Sequence, residues 1–268
     1  MFKSTLTLLI ICALSLTACR SDSSSNNEQT DMQGNNTNFK KGLQKITFPS
    51  KDGLIITANL FHEGANLVPI ILCHQANSSK EEYTEAAKKL NELGFNVLAV
   101  DLRSGGNLIE GGKNETAELA KQQGKMQNYI NAMPDIEAAI DYMYNNYKKP
   151  VILVGSSYSA SLALKISGEN QKVRAVAAFS PGEYFVGTES ETFIQDAMQD
   201  IHKPIFITSA RKEVGQAKLF FDLATSGIKD LYVPEEEGIH GARALWNTTP
   251  GSAGYWSAFT DFLNKVKK

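Results

Sequence analysis

The sequence predicts an α/β fold: a mostly parallel, doubly wound sheet with helices on both faces and a small cap or none. Three observations carry this. Continuous apolar runs, among them VPIILC at 68–73, NVLAVD at 96–101 and PVILVG at 150–155, have the pattern of strands buried on both faces. Segments with helical apolar spacing alternate with these runs, the order that builds a parallel sheet. The chain has 268 residues, 42% hydrophobic and 21% charged, which is ordinary for a globular protein and excludes a fibrous or wholly disordered one.

The chain opens MFKSTLTLLIICALSLTAC. Lys3 supplies a positive start, the apolar run Leu6–Leu16 is too short for an ordinary membrane-spanning helix, and small Thr17 and Ala18 follow. Residues 1–18 are therefore expected to be a secretory signal. The segment Leu16-Thr17-Ala18-Cys19 resembles the lipobox of bacterial lipoproteins. That resemblance implies a lipid on Cys19 and anchoring in the bacterial cell envelope, on the periplasmic or surface side of a membrane. From Arg20 to Asn38, nine of nineteen residues are Ser or Asn and Met32 is the only large apolar one. Such a stretch cannot bury enough surface to fold, so 19–38 reads as a disordered tether. Residues 39–268 show no internal repeat and no second shift in composition, and one domain is expected there.

Within that domain, Gln44–Pro49 and Leu54–His62 read as paired strands around the turn Lys51-Asp52-Gly53. The buried strand 68–73 leads to a helix over about Lys80–Leu93, with Gly94 where a C-terminal cap belongs. After the strand 96–101, the segment 104–124 is polar with five glycines and is expected to be a loop, its length pointing to a role at a pocket. A helix over 134–147, the strand 150–155 and a helix from Tyr158 to Ser167 follow. Val173–Phe179 and Pro204–Ser209 are two more apolar strands, the roughly 25 residues from 180 to 204 leaving room for a loop and a short helix but no large lid. A helix over 215–226, a short strand near Leu231 and an amphipathic helix over 256–266 complete the chain.

Ligands of such sheets bind beyond the carboxyl ends of the strands, and chemistry-bearing residues cluster there. Gly155-Ser156-Ser157-Tyr158-Ser159 follows a buried strand and opens a helix. This is the context of a nucleophile elbow, where small residues must flank a strained serine. Ser159 stands where the pattern has a second glycine. The competing reading is a turn in which Ser156 or Ser157 only caps the helix. A serine hydroxyl needs an adjacent base and the base needs an orienting acid. Of the four histidines, His62 and His74 precede the serine, and His202 enters a strand at the end away from the chemistry. His240, in Glu237-Gly238-Ile239-His240-Gly241, lies in a loop after the last strand and is the candidate base. Glu213, just past the strand 204–209, is the candidate acid, with Glu183 after the preceding strand as the alternative and Asp222 a more remote one. An oxyanion hole would take the N–H of Tyr158 and that of Ala76 or Gln75, in the loop Cys73-His74-Gln75-Ala76-Asn77. His74 there reads as a structural histidine that holds the loop.

Together these segments resemble the α/β-hydrolase superfamily over nearly all of 45–268, and in particular compact bacterial hydrolases of the dienelactone-hydrolase-like kind. Leu72–Ala76, Asp101-Leu102-Arg103-Ser104-Gly105-Gly106 and Ser180-Pro181-Gly182-Glu183-Tyr184 look like blocks of that group. Dienelactone hydrolases proper carry a cysteine nucleophile, and this chain has Ser157. The resemblance implies a serine hydrolase and does not imply the dienelactone substrate; the expected reaction is cleavage of a small ester or thioester through Ser157. A peptidase or amidase on the same three residues, or a ligand-binding lipoprotein that kept the fold without turnover, are the other readings.

Composition narrows the partners. With 27 Lys+Arg against 29 Asp+Glu there is no field to favour nucleic acid. Cysteines at 12, 19 and 73 form no CxxC pair, and no metal-ligand cluster or G-x-G-x-x-G pattern occurs. No metal and no cofactor are expected. A monomer is expected, and Cys73, closing an apolar run, is expected to be an inert buried thiol.

Overall fold

The computed structural model describes residues 1–2, 39–108 and 112–268. Nearly all of the expected signal segment, Cys19 and the tether lie outside the described residues. No helix among those described is long and apolar enough to cross a membrane.

Eight strands among the described residues form one sheet. They are β1 (Gly42–Pro49), β2 (Ile55–His62), β3 (Val68–Cys73), β4 (Phe95–Val100), β5 (Val151–Ser156), β6 (Val173–Phe179), β7 (Ile205–Thr208) and β8 (Lys229–Tyr232). Their spatial order is β1-β2-β4-β3-β5-β6-β7-β8. The β1–β2 and β2–β4 pairs are antiparallel and all others are parallel. Burial follows position: β3, β4 and β5 are buried at every residue, while the edge strand β1 alternates and β8 is half-buried throughout.

Helices α1 (Thr84–Glu92), α2 (Glu115–Gln122), α3 (Met133–Tyr147), α4 (Tyr158–Glu169), α5 (Phe193–Met198), α6 (Val214–Leu223) and α7 (Ser252–Val266) cover the sheet. Two apolar cores result, one per face. One gathers Ile136, Ile140 and Met143 of α3 with Leu162 and Ile166 of α4. The other gathers Leu90 of α1 with Phe259, Phe262 and Leu263 of α7. The pleat divides successive strand residues between the two: Ile71 and Leu153 face the first core, Ile70 and Ile152 the second.

Two departures from the sequence reading have local causes. The segment 104–124 is not all loop, because α2 lies within it. Asn114 caps that helix, its side chain accepting from Ala117 N–H at 2.7 Å, and Glu115 and Glu118 occupy the first turn. The glycines on either side mask this start signal. The helix expected from Lys80 begins as a tight 3₁₀ turn, Lys80–Tyr83. There Lys80 is drawn to buried Asp101, which accepts from its backbone N–H at 2.8 Å and its Nζ at 2.9 Å.

Strand order reverses direction at β3: the chain steps to β4 on one side, then to β5 on the other. The crevice at such a switch point lies beyond the carboxyl ends of β3 and β5. The Gln75–Ala76 loop follows the first of these strands and Ser157 follows the second.

Candidate active site

Ser157 occupies φ +60°, ψ −127°, a backbone state that L-residues adopt only under constraint. Three neighbours impose it. Ser157 N–H donates to Phe179 O of β6 at 2.8 Å, and its carbonyl starts α4 by accepting from Ala160 N–H at 2.9 Å. Gly155 lets the helix close on the strand: a Cβ there would stand 2.4 Å from Ser159 O and 2.5 Å from Ala160 Cα. Ser159, in place of a glycine, is fully buried and satisfied. Its hydroxyl donates to Cys73 O at 2.8 Å and accepts from Ser156 N–H at 2.9 Å, tying the elbow to the end of β3. Ser156 is no helix cap, since its hydroxyl accepts from Ala242 N–H at 2.8 Å.

His240 and Glu213 meet at Ser157. His240 Nε2 lies 2.8 Å from Ser157 Oγ, and Nδ1 lies 2.8 Å from Glu213 Oε1. Burial pushes the Glu213 carboxyl up, but the hydrogen bond with His240, the nearby Ser180 hydroxyl and the attraction of the imidazole outweigh it and hold the group below its ordinary value. Glu213 is therefore an anion near neutrality and can only accept. The Nδ1 edge must carry a proton, which leaves the Nε2 lone pair for the Ser157 hydroxyl. Gly241, at φ +75°, turns the chain directly after the histidine: a Cβ there would stand 2.6 Å from Ser156 Oγ and 2.8 Å from Gln75 Oε1. The Gly241 N–H donates to Ser180 Oγ at 3.0 Å, so Ser180 steadies the histidine loop. Nothing in the local sequence marks Ser180 for this role.

Glu183 is elsewhere. Its carboxylate accepts from Ile194 N–H at 3.0 Å and Gln195 N–H at 2.8 Å, capping α5. Asp222 pairs with Lys218 on the surface.

The loop after β3 separates the two candidate oxyanion donors. Gln75 N–H donates to Glu82 Oε2 at 3.0 Å, so it is not free for a ligand and the expectation for that residue is corrected. No acceptor lies on Ala76 N–H or Tyr158 N–H among the described residues. His74 is buried and holds the loop: Nε2 accepts from Leu102 N–H at 2.9 Å, and Nδ1–H donates to Gln75 O at 2.7 Å. Burial lowers its pKa to about 4, which keeps the ring neutral. Because a trans peptide is planar, fixing the Gln75 carbonyl also fixes the opposite direction of Ala76 N–H.

A groove of about 260 Å³ is lined by Gln127, Asn128, Tyr129, Tyr184, Val186 and Thr188 among others; Ser157 is not part of its wall. Tyr129 stacks on Tyr158 at 4.6 Å, and Tyr184 donates to Ser180 O at 2.9 Å. Burial raises the Tyr184 pKa, partly offset by the neighbouring Ser157 hydroxyl. A second cavity, about 400 Å³, is lined by Arg211, Lys212, Glu237 and His240. A cavity of about 470 Å³ between the loop after β8 and α7 touches none of the three residues. Cys73 is fully buried and its thiol is pushed far up by desolvation, away from thiolate chemistry.

The sequence matches the serine aminopeptidase S33 family over residues 68–208. No curated protein matches it. Among solved structures it is similar to an esterase from Pyrococcus furiosus, at 18% identity and TM-score 0.67 over 85% of this chain and 94% of that one. It is also similar to a dienelactone hydrolase from Anabaena variabilis, at 14% identity and TM-score 0.64 over 84% and 99%. An acylaminoacyl peptidase from Pyrococcus horikoshii aligns at 15% identity and TM-score 0.62, over 84% of this chain but 42% of that one. At these identities the structures show a shared fold.

Proposed function

This chain belongs to the serine aminopeptidase S33 family, within the α/β-hydrolases, and from that premise we propose a serine hydrolase that cleaves a carboxylic ester or thioester through an acyl-enzyme on Ser157. The observation that carries the reading is the relay Glu213–His240–Ser157, two contacts of 2.8 Å ending on a serine held at positive φ. His240 takes the Ser157 proton as Oγ attacks the carbonyl. Glu213 holds the imidazole and stabilises the cation that forms. The N–H groups of Tyr158 and Ala76 receive the oxyanion, helped by the N-terminal end of α4. His240 then returns the proton to the leaving oxygen or sulfur, and water releases the acyl group by the same steps. The groove beyond Tyr184, where Gln127, Asn128 and Thr188 accompany the aromatic residues, is the place for a small acyl group.

Amide cleavage on the same residues is the second reading, favoured by the family's description and by the acylaminoacyl peptidase relative. Matched ester and amide substrates decide between them. For the N-terminus, we propose lipidation at Cys19 with the body held at the cell-envelope membrane. Incorporation of an alkynyl fatty acid, lost in Cys19→Ser, is the expected result.

The decisive test is a fluorophosphonate probe on the folded body, with the modified peptide mapped by mass spectrometry. Labelling on Ser157, lost in His240→Ala, is expected. A folded protein that takes no label would overturn the hydrolase reading in favour of a ligand-binding lipoprotein.

A further inference from the structure

Resting on the hydrolase reading above, we propose that Glu82 is a positioning residue that clamps the loop after β3 and so sets the oxyanion donor of Ala76. Glu82 is 1% exposed, in the 3₁₀ turn that follows the loop after β3. A buried carboxylate is costly unless its oxygens are used. One of its oxygens is used by the loop after β3. Oε2 accepts from Gln75 N–H at 3.0 Å. Burial raises the pKa of the Glu82 carboxyl, and the Gln75 N–H, the Ser156 and Ser78 hydroxyls and the charge of Arg243 offset only part of that push. Neither hydroxyl closes a bond of ordinary length on Oε1.

The consequence is mechanical. Ser156 adjoins the nucleophile and accepts from Ala242 N–H, two residues past His240. Arg243 is one residue further along that loop. The backbone of Glu82 also meets the chain just past that loop, its carbonyl accepting from Trp246 Nε1–H at 2.8 Å. At Gln75 the clamp is complete: Glu82 holds the N–H, and His74 holds the carbonyl at 2.7 Å. With both backbone groups of Gln75 taken, its φ and ψ are set, and so is the direction of the next N–H, that of Ala76. A glycine at position 75 would make the loop looser.

A positioning role and a purely structural one differ in what they move. Substrate binding without charge development needs little from Ala76 N–H, whereas the tetrahedral oxyanion needs it fully. Kinetics on p-nitrophenyl acetate should therefore show kcat of Glu82→Ala reduced about 10- to 100-fold with KM within about twofold. Affinity for an alkylboronic acid, which mimics the tetrahedral state, should fall in parallel. Glu82→Gln keeps an acceptor for Gln75 N–H and should recover most of the rate. If the alanine variant does not fold, the glutamine variant decides by the same split. As a control, His62→Ala removes a buried contact to Tyr147 Oη far from the site, and should lower Tm without altering kcat. Glu82 variants that are destabilised but keep wild-type kcat and boronate affinity would overturn the positioning role alone. A wild type that neither turns over esters or amides nor takes the fluorophosphonate overturns the hydrolase reading, and this role with it.

Discussion

Ser157 grows out of β5, a strand buried at every residue, while Glu213 and His240 hang on loops that follow β7 and β8, strands of four residues each near one edge of the sheet. The difference shows in exposure: Ser157 is 7% exposed, against 24% for the Glu213 side chain and 31% for that of His240. On the central side, atoms are held by backbone. Strain at Ser157 persists because Phe179 O, the start of α4 and the closeness of Gly155 over-determine it. On the edge side, atoms are held by side-chain hydrogen bonds that can re-form after each proton transfer. In the proposed mechanism the nucleophile must stand still in a fixed frame, whereas the base that carries a proton from serine to leaving group must tilt slightly. The fold supplies each requirement from a different part of one sheet.

The widest gap between the two regions should appear in kinetics. Ser157→Ala is expected to lower kcat by about 10⁴- to 10⁶-fold with the fold intact, and His240→Ala nearly as much. Glu213→Ala should cost less, on the order of 10²- to 10⁴-fold, because the imidazole remains beside the serine and loses only its orienting anion. Equal losses in single-turnover measurements for Glu213→Ala and Ser157→Ala would erase the distinction. In stability the central region should again dominate, through a residue that does no chemistry. Gly155→Ala places a Cβ against backbone atoms that cannot yield, with an expected loss of about 2–4 kcal/mol, read as a Tm lower by roughly 5–15 °C. Glu213→Ala, at a partly exposed position, should change Tm by a few degrees at most.

Acid should act on the central region through His74. Its ordinary pKa of about 6.5 applies to the unfolded chain, and burial lowers it to about 4 in the fold. Between these values the unfolded chain binds more protons, so stability falls as pH drops from about 6.5 to about 4, by on the order of 3 kcal/mol in all. His74→Asn, which can still donate and accept but carries no charge, should flatten that part of the Tm-against-pH curve. A variant as acid-sensitive as the wild type would assign the effect to another group. The smallest effect should come from Glu183→Ala. Removing that cap from α5 should cost about 1 kcal/mol and leave kcat within twofold, whereas a large loss of kcat would reopen the choice of acid.

Much of the arrangement was legible in the residues because its causes are local. Buried parallel strands need uninterrupted apolar runs, so β3 and β6 could be bounded to the residue. The elbow was readable because a tight strand-to-helix turn restricts which residues can flank Ser157. The start of α2 was written in Asn114, Glu115 and Glu118, but the surrounding glycines outweighed it. Chain order also brought Glu213 and His240 forward, since only segments after Ser157 could supply them at strand ends.

What the sequence by itself determined was the layered α/β architecture and a short set of candidates at strand ends, because periodicity and turn chemistry act over a few residues. Only the tertiary structure decided among those candidates. Glu213 rather than Glu183 meets His240, because the loop after β7 lies beside the histidine loop while Glu183 turns back to cap α5. Ala76 rather than Gln75 keeps a free N–H, because a carboxylate seven residues along the chain folds back to take the other. Ser156, Ser180 and Glu82 carry no local mark at all. Their contacts join residues seven to 86 positions apart, and only the folded chain brings such partners to about 3 Å from one another.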